Sequence, residues 1–107
     1  MPAYVVVQVD IQDPVSYERY KSIAPSSIGL YGGCYLTRGG AVEVLEGEWA
    51  PRRFVILQFP SMERAKEWHD SPEYAPALGL RNSSASTLML LAEGLPEPWN
   101  PGTGTER

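Results

Sequence analysis

Histidine and cysteine each occur once in this 107-residue chain, as His69 and Cys34. A single cysteine excludes an intrachain disulfide, and with one histidine it supplies neither a closed zinc site nor a catalytic zinc triad. Positive charge is scarce as well. Nine Lys and Arg against thirteen Asp and Glu give a net charge of -4, which argues against a nucleic-acid partner. No apolar run approaches the ~18 residues that span a bilayer, and no Lys/Arg cluster would draw the chain to anionic lipid. The first residues lack the charged-then-apolar pattern of a signal peptide, so a cytoplasmic location is expected. The paired glycines form neither G-x-G-x-x-G nor a P-loop, and no G-x-S-x-G elbow surrounds a serine. No metal and no bound cofactor are expected.

Glycine and proline are abundant, ten of each, so many short elements with sharp turns follow. Val5, Val7, Val9 and Ile11 alternate with Tyr4, Val6, Gln8 and Asp10, the period of a strand over Ala3 to Ile11. Asp13-Pro14 is a helix start, and Tyr17, Tyr20, Ala24, Ile28 and Tyr31 recur at steps of three or four as an apolar stripe. Pro25 interrupts that stripe and predicts a kink or two helical segments meeting near Ala24. Cys34 to Arg38 and Ala41 to Glu46 read as short strands around the Gly39-Gly40 pair. Arg53 to Phe59 alternates again. Ser61 caps a second helix carrying Met62, Ala65, Trp68 and His69, and Ser71-Pro72 restarts a helix to about Asn82. Ser83, Ser84 and Ser86 read as a polar linker into a final strand, Thr87 to Glu93. Leu95 to Arg107 holds three prolines and two glycines and reads as a flexible tail beyond a single domain over residues 1–94, with Trp99 as its anchor.

This order predicts an α+β, ferredoxin-like βαββαβ fold, both helical layers on one face of a four-stranded antiparallel sheet. The other face would present Tyr4, Val6, Phe54 and Ile56 with Gln8 and Gln58, too apolar to remain in water. Two chains packing sheet to sheet would cover it, so a homodimer is expected, with room for an internal cavity.

The residues also resemble a family. Glu46-Gly47-Glu48-Trp49-Ala50-Pro51-Arg52-Arg53, then Phe59-Pro60-Ser61, then Trp68 ahead of Ser71-Pro72-Glu73-Tyr74, is similar to domain-of-unknown-function family 1330, as are Tyr31-Gly32-Gly33 and Arg38-Gly39-Gly40. The resemblance implies a dimeric α+β barrel whose relatives include cofactor-free monooxygenases, lactone isomerases and polyketide cyclases. It implies no defined reaction. Leu78 and Thr87 stand where family members often place arginine.

His69, Arg38 and Tyr20 are the catalytic candidates. His69 has the one side chain whose unperturbed pKa suits proton transfer near neutrality, although its helical position equally fits a boundary residue against the sheet. Tyr17, Tyr31, Glu46, Arg53 and Tyr74 are the ligand-binding candidates: phenols that could donate to a bound molecule, and a strand carboxylate with guanidiniums that could pair or polarise a carbonyl. Core packing, with each tyrosine hydroxyl on a backbone carbonyl, is the competing reading. Cys34 is read as a small buried hydrophobe and Arg81 as a helical cation, solvated or interacting with the end of its helix. Three functions remain: a cofactor-independent enzyme on a small carbonyl-bearing or aromatic metabolite, a non-catalytic small-molecule-binding module, or an accessory protein.

Overall fold

The computed structural model describes residues 1–50 and 52–103. Strand β1 (Ala3–Ile11) leads into helix α1 (Pro14–Leu30), followed by β2 (Cys34–Arg38), β3 (Arg53–Phe59), α2 (Met62–His69), α3 (Ala75–Ser84) and β4 (Ala85–Glu93). The four strands form one antiparallel sheet in the order β2-β3-β1-β4. This is the predicted ferredoxin-like topology.

The alternation in β1 and β3 works as read. Val5, Val7, Val9, Val55, Leu57 and Phe59 are buried beneath the helices, together with Ala24, Ile28, Ala65, Trp68 and Tyr74. Trp68 stacks at 4.2 Å from Tyr74 and 5.2 Å from Phe59, ring centre to ring centre, joining α2 and the start of α3 to β3. Asp13 accepts from the backbone N–H groups of Val15 and Ser16, and Ser61 from that of Arg64, so both predicted N-caps form. Gly32, at φ 79°, carries the chain out of α1.

Several local expectations are corrected. Helix α1 runs through Pro25 as one element, not two segments. The Lys21 carbonyl, which would accept a hydrogen bond from an N–H at position 25, instead accepts one from Arg38 Nη2 at 2.8 Å. Residues 41–46 form no strand, because β2 pairs directly with β3 and no neighbour is left for them; residues 39–50 are a loop. No linker separates α3 from β4: Ser83 and Ser84 end the helix, and Ser86 is already in the strand. Cys34 is exposed, since its strand lies at the sheet edge and its register partner Gln58 faces away from the helices. Trp99 is partly exposed, and Pro101–Thr103 forms a short 3-10 turn. No helix among the described residues is long and apolar enough to cross a membrane.

Candidate functional site

The sheet register builds the site row by row. Val9 of β1 pairs with Arg53 on β3 and with Thr87 on β4, so these three side chains leave the sheet on the helix side. The next row joins Arg38, Val55, Val7 and Met89. A β-bulge between Tyr35 and Thr37 shifts the alternation of β2 and brings Tyr35 and Arg38, three residues apart, onto the same face. Thr37 Oγ1 accepts from the Ile56 N–H at 3.0 Å beside this irregularity. Gly39, at φ 71°, follows immediately, and the Arg53 guanidinium occupies the space that a side chain there would fill.

Helices α1 and α3 roof these rows with Tyr17, Tyr20, Lys21 and Arg81, leaving a cleft of about 20 Å³, room for roughly one water. Arg38 lies 4.8 Å from the centre of the Tyr35 ring, and Arg53 5.6 Å from that of Tyr17. Tyr20 and Tyr74 hydroxyls are 3.0 Å apart, and Arg81 Nη1 donates to the Tyr74 oxygen at 3.0 Å. Arg81 is therefore not the solvated cation expected from sequence: it is 6% exposed and runs inward to a buried phenol. The Tyr20 and Tyr74 hydroxyls meet side chains rather than backbone carbonyls.

Burial holds these phenols neutral. It pushes the Tyr20 hydroxyl far above the ordinary phenol range, reinforced by Tyr74 and opposed by Arg81. Burial also raises Tyr74 and Tyr35, although the Tyr20 hydrogen bond pulls Tyr74 partly back. The cleft is thus lined by neutral hydrogen-bond donors and fixed cations. Glu18 stands at its rim, paired with Lys21 at 2.8 Å, and that hydrogen bond lowers its carboxyl below the usual range.

Of the predicted site residues, Tyr17, Tyr20, Arg38, Arg53 and Tyr74 come together here. Tyr31 does not: its hydroxyl donates to Glu73 at 2.5 Å under the Arg64 guanidinium, and this bond raises its pKa. Glu46 lies in the exposed loop after Gly39 rather than on a strand. His69 is exposed at the end of α2, 3.5 Å from Asp70, on the wall of a separate, mainly apolar groove of about 240 Å³ between α2 and β4. Tyr35, Lys21, Arg81 and Thr87 were missed as site residues, and only the spacing of Arg81 seven residues after Tyr74 could have hinted at their contact. Among the described residues no group of three or more His, Cys, Asp or Glu is placed to hold a metal ion.

A model of the family described as Domain of unknown function (DUF1330) matches residues 2–95. The chain belongs to the DUF1330 family. A protein of unknown function from Rhodopseudomonas palustris shares this fold at a TM-score of 0.74 and 18% identity, over 91% of this chain and 84% of that one. A dimeric ferredoxin-like protein of unknown function from Jannaschia sp. CCS1 superposes at 0.62 with 15% identity, over 88% and 100%. SnoaB, a cofactor-independent oxygenase from Streptomyces nogalater, does so at 0.59 with 12% identity, over 90% and 98%. At these identities the likeness is one of fold. No curated protein sequence matches the chain. Within this DUF1330 chain, Leu78 packs against the core, and Thr87 sits on the helix side of the sheet, in the same row as Val9 and Arg53.

Proposed function

We propose that this protein is a homodimer that binds a small carbonyl-bearing or aromatic metabolite in the cleft between α1 and the sheet, and polarises its oxygen through Tyr20. The observation that carries this reading is the hydrogen-bonded chain from Arg81 through Tyr74 to Tyr20. Arg81 occupies one lone pair of the Tyr74 oxygen, and the proton between Tyr74 and Tyr20, 3.0 Å apart, can come from either hydroxyl. With a ligand oxygen bound and Tyr74 as the donor in that pair, Tyr20, which lines the cleft, has its own proton for the ligand. Such a donor in a water-poor space stabilises negative charge growing on a carbonyl oxygen, as an oxyanion hole does.

That donor favours an enzyme of the cofactor-independent monooxygenase, isomerase or cyclase type, in which a substrate is activated as an enolate. A binding module without turnover is the second reading, and the lining of the cleft favours it: it includes no histidine and no carboxylate to remove a proton. The two differ in one test. Purified protein is incubated with a mixture of small carbonyl and aromatic metabolites, and bound and free compounds are followed by mass spectrometry. A compound converted by the wild type and recovered unchanged from Tyr20→Phe supports catalysis; one retained but never converted supports the binding module. Failure of every compound to bind, with cleft resonances unmoved in NMR spectra, would overturn both.

Dimerisation is supported by the apolar face opposite the helices, where Leu88 and Leu90 are 69% and 59% exposed, and by the dimeric relative from Jannaschia. The free, exposed Cys34 thiol suits the reducing cytoplasm, where we place the protein. Residues 1–94 form the functional domain in this reading, with residues 95–107 as an appended tail.

A further inference from the structure

The three buried side-chain atoms without a hydrogen-bond partner among the described residues are Arg53 Nε, Arg81 Nε and Thr87 Oγ1. All three lie on the helix side of the sheet, two of them in the cleft lining. Arg53 and Thr87 flank Val9 in a single row of the sheet, and both arginines line the same cleft. Orphaned donors of this kind are costly, because a guanidinium stays protonated and cannot shed its charge as lysine can. Among the described residues the Arg53 guanidinium makes no hydrogen bond or ion pair, and Arg81 is 6% exposed with a neutral phenol as its hydrogen-bond acceptor. Arg38 has a backbone carbonyl and a tyrosine ring for neighbours. Among the described residues no carboxylate lies within 4 Å of any of these three arginines, and Glu18 at the rim is bonded to Lys21. A chain whose net charge is -4 thus keeps three guanidiniums without an ion pair around one cleft, with Glu18 acting on Arg53 and Arg38 only from beyond contact distance.

We propose that the cleft is built for a small organic anion, a carboxylate or enolate on a flat apolar body, with its charged end against Arg53, Arg81 and Thr87. This rests on the small-molecule reading above and adds the charge and orientation of the ligand. The anion supplies acceptors for the two Nε–H groups and the Thr87 hydroxyl, and a counter-charge for the arginines. The apolar body lies along Val7, Val9 and Val55, between the Tyr17 and Tyr35 rings. The space in the structure admits a water-sized guest, so binding of a larger one requires rim side chains to move, of which Arg38 is exposed and holds only the Lys21 carbonyl and the Tyr35 ring.

Benzoate and its neutral isostere benzamide are suitable probes, titrated into the full-length protein while the arginine Nε–Hε and tyrosine ring signals are followed by NMR. Benzoate is expected to bind about tenfold more tightly than benzamide, the scale of one charge-assisted hydrogen bond, and to move the Arg53 and Arg81 Nε–Hε signals downfield. Arg53→Gln should abolish this preference by weakening benzoate about tenfold more than benzamide, and it keeps the test open if Arg81→Gln fails to fold. Equal binding of both probes, with the cleft tyrosines shifted, would overturn the anion assignment and leave the small-molecule site standing. If neither probe moves a cleft signal at millimolar concentration, the anion assignment and the site fall together.

Discussion

Taking one oxygen atom from Tyr74 tests how the buried polar chain holds together. In Tyr74→Phe the Arg81 Nη1–H loses its acceptor inside the protein, and an unsatisfied buried donor costs ~1–3 kcal/mol. Tyr20→Phe removes one member of a hydroxyl pair and leaves the Arg81 bond intact, so a smaller loss, ~0.5–1.5 kcal/mol, is expected. Urea unfolding of both variants at one protein concentration checks the order; a milder loss in Tyr74→Phe would mean that Arg81 finds another acceptor. The same phenols set an alkaline limit. An unfolded tyrosine ionises near pH ~10. Burial raises Tyr20 and Tyr74 above this, so the folded state retains protons that the unfolded state releases. Their contribution is therefore complete below pH ~10 and declines as pH rises above it, and Tyr20→Phe should unfold less steeply with pH in that range.

Helix α1 and strand β2 are coupled through a missing hydrogen bond. Proline inside a helix ordinarily costs ~3 kcal/mol or more, part of it for the carbonyl left without a partner. Here the orphan Lys21 carbonyl is taken by Arg38, which ties the helix to the edge strand and holds the guanidinium over the cleft. Pro25→Ala restores an N–H that competes for the carbonyl. Arg38→Ala should consequently destabilise the wild type more than the Pro25→Ala background, with a coupling of at least ~0.5 kcal/mol in a double-mutant cycle. Strictly additive losses would show that the Arg38 bond carries no share of the helix's stability. This link was only half legible in the sequence: Pro25 announced a freed carbonyl, but what would claim it depended on a strand register that no local pattern encodes. The long central strands β1 and β3 and the Asp13 and Ser61 caps were readable because alternation and capping act within a few residues. The bulge in β2, the loop at residues 41–46, the exposure of Cys34 and the burial of Arg81 were not, because each is decided by a partner distant in sequence. For the same reason five of the eight predicted site residues meet in the cleft, whereas His69 and Tyr31 turn elsewhere and Glu46, in the loop, stays outside it.

The whole molecule has two unlike faces, and they separate assembly from binding. Helices and cleft occupy one side of the sheet; the other presents rows of Gln8, Phe54 and Leu88, then Val6, Ile56 and Leu90. Trp49, from the loop after Gly39, packs edge-on against Phe54 at 5.8 Å and donates to Gln8, extending this surface with another aromatic ring. In a two-fold dimer each position is buried twice, so a substitution counts twice. Leu90→Glu removes an apolar side chain whose full burial is worth ~1.5–3 kcal/mol per copy and puts a carboxylate in its place, which costs several kcal/mol more if it stays charged. Light scattering should therefore give a two-chain mass for the wild type and a one-chain mass for Leu90→Glu at micromolar concentration. Val15→Glu is the control, since Val15 is 77% exposed on α1, away from the sheet, and its variant should remain a dimer. A two-chain mass retained in Leu90→Glu would place the interface elsewhere. Because Arg53, Arg81 and Thr87 lie on the helix side of the sheet, away from the apolar face, the one-chain variant should still prefer benzoate to benzamide. Loss of that preference on dissociation would show that the partner chain completes the site.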